Sequence, residues 1–272
     1  MVKRKKNNKY KNKKTMIILV SSFVCLSLSL LLCYNVLFLG NHSHLSSRIN
    51  NLKNYNGFGE GFSTAGWVNV PGTNIDYPIV YSNDDALDFD ETRHDYGWIS
   101  YTGAKKKDMV FINGHNIFNL SSNPLRSSND FYGFEELMNY VYYDFAKDNQ
   151  YFQYTIDGVD YTYKIFGVEF INAIDLNYFY NDGDIYDSLK EEFIEYVLEN
   201  SFYNYDVDVS LDDDLISLVT CSRFLQEENG TDFVVVGRRV RENEKIDDYK
   251  VVANNDVYNK IKKIMKGDDT NE

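Results

Sequence analysis

The sequence has few cysteines, which limits how the chain can be cross-linked and which metal ions it can bind. It contains three cysteines in 272 residues, and two of them, Cys25 and Cys33, lie inside one long apolar run near the N-terminus. Cys221 has no other cysteine in the rest of the chain, so a disulfide framework is excluded there. This cysteine and two histidines at unrelated spacings, His94 and His115, also do not form a zinc site.

Acidic residues are absent from the first 57 positions, and basic residues are scarce in the remainder. Eight of the 28 lysines and arginines lie within the first 14 positions, whereas all 41 acidic residues come later. The later part therefore has 20 basic residues and a formal charge of 20 − 41, or −21. Nucleic acid is excluded as a partner, because its binding requires basic side chains that neutralise phosphates.

Several patterns that identify other classes of protein are also missing. The sequence has no Gly-rich phosphate-binding loop, no Gly-x-Ser-x-Gly elbow, no His-Glu-x-x-His helix and no internal repeat. Hydrophobic residues make up 43% of the chain and aromatic residues 16%, which excludes a disordered tail. The roughly 230 residues beyond the apolar run are enough for one domain with a substantial core.

The N-terminal basic cluster precedes an uncharged apolar run, from Met16 to about Gly40, which predicts a membrane anchor. A helix needs roughly 20 apolar residues to cross the hydrocarbon core, and flanking basic residues stay in the cytoplasm. A cleavable signal peptide is the alternative, but its apolar core is usually ~7–15 residues long. We therefore predict a basic cytoplasmic tail (1–15), a single-pass transmembrane signal anchor (16–40) and a stalk or N-terminal helix (41–59), with the rest extracellular.

Short runs of β-forming residues, bounded by turn residues, predict a mostly-β fold. The eight candidate strands are Gly66–Val70, Asn74–Tyr81, Gly97–Tyr101, Asp108–Asn113, Tyr151–Ile156, Asp160–Ile171, Asp214–Thr220 and Thr231–Val240. They predict one closed or nearly closed barrel over residues 60–243. Helical periodicity at Phe134–Val141 and Ile185–Val197, the latter behind Asp184 as N-cap, predicts peripheral helices with packing faces. Residues 244–272 form a C-terminal tail with a pattern that suits a final helix.

Cys221 lies where an apolar strand runs into a polar loop, and a solitary cysteine is either buried and inert or retained for its reactivity. His115 is the candidate partner, because the preceding Gly114 would make a turn that presents the ring at the end of the sheet. His94 has the surroundings of an ordinary surface-loop histidine. An imidazole beside a thiol raises the thiolate fraction and can pass the proton to a leaving amine.

These residues carry a resemblance to a known family. Ser217–Cys221 resembles the Thr-Leu-x-Thr-Cys signature of sortases, the membrane-anchored cysteine transpeptidases of Gram-positive bacteria, with serine for the first threonine. Further segments are similar to the class B branch, and together they span about residues 60–241. They are Gly66–Val80 as its opening strands, Asn113–Asn116 as its Tyr-Gly-His-Asn segment, Asp184–Asn200 as its helix and Phe233–Arg238 as its last strand.

The resemblance implies an eight-stranded sortase-type barrel and a defined reaction. Cys221 would attack the carbonyl of a threonine in a C-terminal sorting motif of a surface protein, with His115 as acid and base. A peptidoglycan precursor amine would then resolve the thioester, so that the surface protein becomes anchored to the cell wall. The resemblance also implies that Thr220 and Asn116 bind substrate, and that no metal or organic cofactor is required.

One position departs from the family pattern. Sortases are expected to place an arginine at the start of the last strand, where its fork of donors can bind substrate carbonyls or the oxyanion. The matching residue here is Asp232, just before Phe233. Arg238 would lie roughly 20 Å away along the strand, since each residue rises about 3.3 Å. Arg223, two residues after the cysteine, is therefore the candidate for the arginine role.

Two rival functions remain open on the sequence. A secreted papain-like wall peptidase also uses cysteine and histidine, but its cysteine usually precedes the histidine and opens a helix. A low-activity or non-enzymatic surface-binding domain that has kept the barrel is the other rival. In that case Cys221 would be a buried, inert side chain.

Overall fold

The computed structural model describes residues 63–82, 97–100, 109–116, 133–179, 187–222 and 230–265. The chain divides into two units, Met1–Lys53 and Asn54–Glu272, and all the described residues belong to the second. The predicted basic tail, apolar anchor and stalk lie outside the described residues. No helix in the described ranges is both long enough and apolar enough to span a membrane.

Ten strands and five helices occur within the described ranges. The strands are β1 (Ser63–Asn69), β2 (Asp76–Ser82), β3 (Gly97–Ser100), β4 (Met109–Gly114), β5 (Tyr151–Ile156), β6 (Val159–Asn172), β7 (Tyr203–Tyr205), β8 (Leu215–Ser222), β9 (Thr231–Arg239) and β10 (Val251–Ala253). The helices are a 3-10 helix (Glu135–Val141), α1 (Tyr143–Asp148), α2 (Ala173–Phe179), α3 (Asp187–Asn200) and α4 (Asn255–Met265).

Eight of the strands form a closed barrel in the order β1-β2-β3-β4-β8-β9-β6-β5, with β5 returning to pair with β1. The pairs β2–β3 and β4–β8 are parallel, whereas the other pairs in the barrel are antiparallel. The predicted mostly-β barrel of eight strands is therefore confirmed. Strands β7 and β10, which form a separate two-stranded sheet, are not among the predicted strands, because three residues are too few to show an alternating pattern.

The hairpin between β5 and β6 shows how local sequence fixes strand pairing. Asp157 and Gly158 both have positive φ, at 50° and 78°, as a two-residue turn with the right-handed twist of the strands requires. Ile156 consequently pairs with Val159, and the register continues to Tyr151 opposite Lys164. The Asp-Gly dipeptide alone predicts this turn.

Helix α3 packs against one face of the barrel, as its predicted apolar periodicity indicates. Phe193 and Val197 are fully buried in a cluster that includes Phe111 of β4, Val219 of β8 and Val236 of β9. A Cβ atom at Gly167 of β6 would lie 2.0 Å from the Val197 side chain, so glycine is required there for close approach. Helix α3 therefore packs directly against strands β4, β8 and β9.

The C-terminal segment is bound to the barrel by a buried arginine. Arg238 of β9 is 0% exposed, and its guanidinium donates to both carboxylate oxygens of Glu244, at 2.6 and 2.8 Å, and to the Asp208 carbonyl at 2.7 Å. The hydrogen bonds from Arg238 hold the pKa of the Glu244 carboxyl well below its usual range. Arg238 therefore has a structural role at the end of β9 that lies away from Cys221.

Arg238→Met is expected to lower the free energy of unfolding by about 2 kcal/mol, because it removes the charge-assisted hydrogen bonds that the buried guanidinium donates to Glu244 and Asp208. Arg239→Met is the matched control, since Arg239 is 43% exposed in its ion pair with Asp214 and should contribute less than about 1 kcal/mol. Urea unfolding followed by circular dichroism would measure both. Equal losses in the two variants would contradict the structural role of Arg238.

Candidate active site

Cys221 lies at the exposed end of an otherwise buried strand. The side chains from Leu215 to Thr220 in β8 are all buried, whereas Cys221 is exposed and Ser222 ends the strand. Because β8 lies between β4 and β9 in the barrel, the thiol is flanked by two strand neighbours and is also open to solvent. The alternative of a buried, inert cysteine is therefore excluded, and the exposed thiol is able to meet a substrate.

His115 is brought beside Cys221 by the parallel pairing of β4 and β8. Gly114 at the end of β4 pairs with Thr220 of β8. The next residue after β4 is His115, and the next residue along β8 is Cys221. Neighbouring strands lie about 4.8 Å apart, which places the two residues side by side. The Asn116 side-chain amide donates to the Cys221 carbonyl at 2.9 Å and ties the two segments together just beyond the paired strands.

Gly114 is required for packing and not for the turn that the sequence suggested. It does not adopt the left-handed conformation, but a Cβ atom at this position would lie 2.2 Å from the Phe134 ring. The backbone N–H of Phe134 also donates to the His115 carbonyl at 2.7 Å. The histidine is thus fixed by β4 on one side and by the start of the 3-10 helix on the other.

The two residues predicted to bind substrate hold the strand ends together. The Thr220 hydroxyl, 1% exposed, donates to the Gly114 carbonyl at 2.8 Å, which links β8 to β4 directly before the cysteine. Asn116, 9% exposed, makes the bond to Cys221 described above. Both side chains thus bond to the protein itself, and their contacts with substrate stay predictions.

Asp232 is the direct cross-strand neighbour of Cys221. The antiparallel register of β8 and β9 pairs these two residues, and the thiol donates a hydrogen bond to the Asp232 carboxylate. Burial raises the pKa of Asp232 to about 6, and the bond from Cys221 offsets part of that rise. An acidic side chain therefore occupies the position where the family resemblance implies arginine. Arg238 pairs with Leu215 at the opposite end of β8, and Arg223 lies outside the described residues.

Glu169 is a second acidic residue on this side of the barrel, and sequence reasoning missed it. Its carboxylate is 0% exposed and makes no hydrogen bond to any described residue, so burial raises its pKa well above the usual range. Glu169 pairs with Val234, which pairs with Val219, and it therefore shares their apolar face. The signal was a single glutamate interrupting the apolar run of β6.

No group of three or more histidine, cysteine, aspartate or glutamate side chains within the described ranges could hold a metal ion. The arrangement that the structure presents is instead a thiol, an imidazole and a carboxyl group at adjoining strand ends. A thiol and an imidazole so placed can form a covalent intermediate with an acyl substrate and transfer protons during its formation. The fold and the site are those of a β-barrel enzyme that transfers acyl groups through a cysteine.

Comparison with known proteins agrees with this class. Residues 68–240 match the model of the Sortase domain, which is more than half of the chain. The chain belongs to the sortase family, and it is accordingly a cysteine transpeptidase. A comparison with curated proteins found no match.

Solved structures of sortase B share the fold. The sortase B of Clostridium perfringens has 24% sequence identity and a TM-score of 0.55, over 71% of this chain and 99% of that chain. A mutant form of the same enzyme gives 22% identity and the same TM-score, over 71% and 86% of the two chains. Sortase B from S. aureus, complexed with MTSET, gives 20% identity and a TM-score of 0.50, over 65% and 72%. A papain-like fold is thereby excluded.

Proposed function

We propose that this sortase is a membrane-anchored enzyme that cleaves a C-terminal sorting motif after threonine and transfers the acyl group to a peptidoglycan amine. The observation that supports the proposal is the exposed Cys221 thiol at the end of β8, with His115 beside it at the end of the parallel strand β4. The products would be surface proteins anchored covalently to the cell wall.

The first half of the reaction forms a thioester. The Cys221 proton moves to His115, and the thiolate sulfur bonds to the carbonyl carbon of the motif threonine while the C=O electron pair moves onto oxygen. When this oxyanion collapses, the C–N bond breaks and His115 donates its proton to the departing amine. The thioester then holds the N-terminal part of the surface protein on Cys221.

The second half releases the anchored product. The incoming amine attacks the thioester carbonyl, and His115 accepts a proton from the nitrogen. The C–S bond then breaks, and His115 returns the proton to the departing sulfur, which regenerates the Cys221 thiol and neutral His115. The paired strand ends favour this cycle, because the tie from Asn116 to the Cys221 carbonyl fixes the cysteine backbone relative to the histidine segment. Well-fixed reacting groups lower the entropic part of the barrier.

The proposed location rests on the N-terminal sequence. Eight basic residues within the first 14 positions, followed by the apolar run 16–40, would keep the N-terminus in the cytoplasm and the catalytic unit outside the cell. The partners would be surface proteins that carry a sorting motif, the peptidoglycan precursor and the membrane itself. Arg223, two residues after Cys221 in the sequence, is proposed as a donor to the oxyanion.

A second candidate function is a low-activity sortase-fold domain that binds the motif but turns it over slowly. The observation that favours it is the Asp232 carboxyl beside the thiol, because an ionised carboxylate there opposes the formation of an oxyanion. The two candidates differ in rate and not in fold. Kinetics on peptides separate them.

The test uses the full-length protein in detergent with a library of internally quenched sorting-motif peptides, with and without triglycine as the amine. We expect cleavage directly after threonine, and a new threonine–glycine amide when triglycine is present, both identified by mass spectrometry. Binding without cleavage at any pH would support the second candidate. Cleavage at another bond would contradict the proposed reaction.

A further inference from the structure

We propose that Asp232 acts at the nucleophile in its protonated form, as a hydrogen-bond donor to the oxyanion, and that ionised Asp232 holds the enzyme in a less active state. The inference deepens the proposed function and rests on it. It starts from the cross-strand pairing of Asp232 with Cys221 and from the hydrogen bond between the two side chains.

The position of Asp232 brings its carboxyl within reach of the reacting atoms. A group that hydrogen-bonds to the attacking sulfur lies near the oxygen that becomes negative when that sulfur bonds to the substrate carbonyl. A donor there stabilises the developing charge, and removal of one such donor typically lowers turnover by about 10²–10³-fold. The carboxyl can donate only while it carries its proton.

The ionised form of Asp232 opposes the same reaction in two ways. As a carboxylate it accepts the hydrogen bond of the thiol, so it stabilises the protonated and unreactive form of Cys221. It also repels the oxyanion, because like charges at short range disfavour each other. The protonated form is therefore the productive one. Burial raises the pKa of Asp232 to about 6, which keeps that form populated under mildly acidic conditions.

The elements packed against Asp232 provide no described lysine or arginine at this end of the barrel to pair with its charge. Opposite it on β6 is the apolar Ile171, with Glu169 one diagonal step away on the same face. The other titratable side chains on the elements that meet this end of β9 are Cys221 on β8, His115 after β4, Asp175 and Tyr178 on α2, and Glu135, Glu136 and Tyr140 on the 3-10 helix. None of the acidic groups among them can neutralise an ionised Asp232, so burial continues to favour its protonated form.

The reaction balances without any further reactant. The Cys221 proton passes to His115, the Sγ–C bond forms, and the carbonyl electron pair moves onto oxygen. Asp232 donates a hydrogen bond to this oxygen and keeps its proton throughout. The C–N bond then breaks, the leaving amine takes the proton from His115, and the thioester remains on Cys221.

The test compares acylation rates of full-length wild type, Asp232→Asn and Asp232→Ala between pH 5 and pH 7.5. Asparagine donates at every pH and carries no charge, so the rate ratio of Asp232→Asn to wild type should rise about 30-fold across this range, as the protonated fraction of a group with a pKa of about 6 falls. Asp232→Ala, which lacks a donor, should be about 10²-fold slower than Asp232→Asn at both ends.

Glu169→Gln is the matched control, because it removes another buried acid from the same face, two strands and two residues from Cys221, or about 12 Å away. Its rate ratio to wild type should stay constant with pH. A rise in that ratio would assign the titration to Glu169 and overturn the inference. A constant or falling ratio for Asp232→Asn, or equal rates for Asp232→Asn and Asp232→Ala, would overturn it as well.

Alkylation of Cys221 by iodoacetamide provides a readout that needs no sorting peptide. At pH 7.5, Asp232→Asn should react several-fold faster than wild type, because the thiol no longer faces a carboxylate. Equal alkylation rates would overturn the inference. Acylation that does not depend on residue 232 would refute this inference alone, whereas absence of acylation in every variant, Asp232→Arg included, would refute the proposed function together with the donor role.

Discussion

Cys221→Ala is expected to lower peptide cleavage by roughly 10⁴-fold or more, because the sulfur that forms the acyl-enzyme bond is missing. The stability of the fold should change little. The side chain is exposed at the end of β8, and substitutions at such positions usually alter the free energy of unfolding by less than about 0.5 kcal/mol. Quenched-peptide kinetics and thermal unfolding by circular dichroism measure the two effects separately.

The control for this prediction is the double variant Cys25→Ala, Cys33→Ala. These cysteines lie in the apolar N-terminal run, so their removal should leave cleavage near the wild-type rate. Substantial cleavage by Cys221→Ala would mean that another residue is the nucleophile. A large loss of stability in that variant would instead assign Cys221 a packing role, which its exposure argues against.

His115→Ala is expected to lower kcat/KM by roughly 10²–10⁴-fold, the usual contribution of a positioned acid and base. The wild-type enzyme should show a bell-shaped dependence on pH, since thiol and imidazole titrate as a coupled pair. The variant should lose the limbs that belong to this pair. Initial rates across a pH series, with stability checked at each pH, provide the measurement.

His94→Ala is the matched control, because the sequence around His94 is typical of a surface loop and does not follow an apolar strand as His115 does. It should retain nearly the wild-type rate and pH profile. Equal losses in His94→Ala and His115→Ala would refute the assignment of His115. An unchanged bell in His115→Ala would show that the titrating pair is a different one.

Much of the barrel was predictable because its strands have strong local signals. Alternating and β-branched runs between turn residues located all eight barrel strands, and Asp157-Gly158 fixed one hairpin. The short helices α1 and α2 and the sheet of β7 with β10 were missed. Their stability comes from contacts with distant segments, such as the pairing of Val251 with Tyr205, and not from a local repeat.

The sequence predicted that Cys221 and His115 lie together, but it did not predict the contacts around them. Cys221 and His115 stand at the ends of apolar strands, and that pattern alone suggested that they meet. The hydrogen bond between Cys221 and Asp232 depends on the register between β8 and β9, which fixes the cross-strand neighbour of each residue. Glu169 could not be placed for the same reason, since its burial results from pairing with Val234.

The most direct test of the account is the capture of the acyl-enzyme. Full-length protein mixed with sorting-motif peptides at pH 5 to 7.5 is quenched in acid, and its intact mass and peptic fragments are analysed by mass spectrometry. The account predicts a mass increase equal to the peptide portion that ends in threonine, located on Cys221 and absent from Cys221→Ala. No adduct with any peptide, or an adduct on a residue other than Cys221, would contradict it.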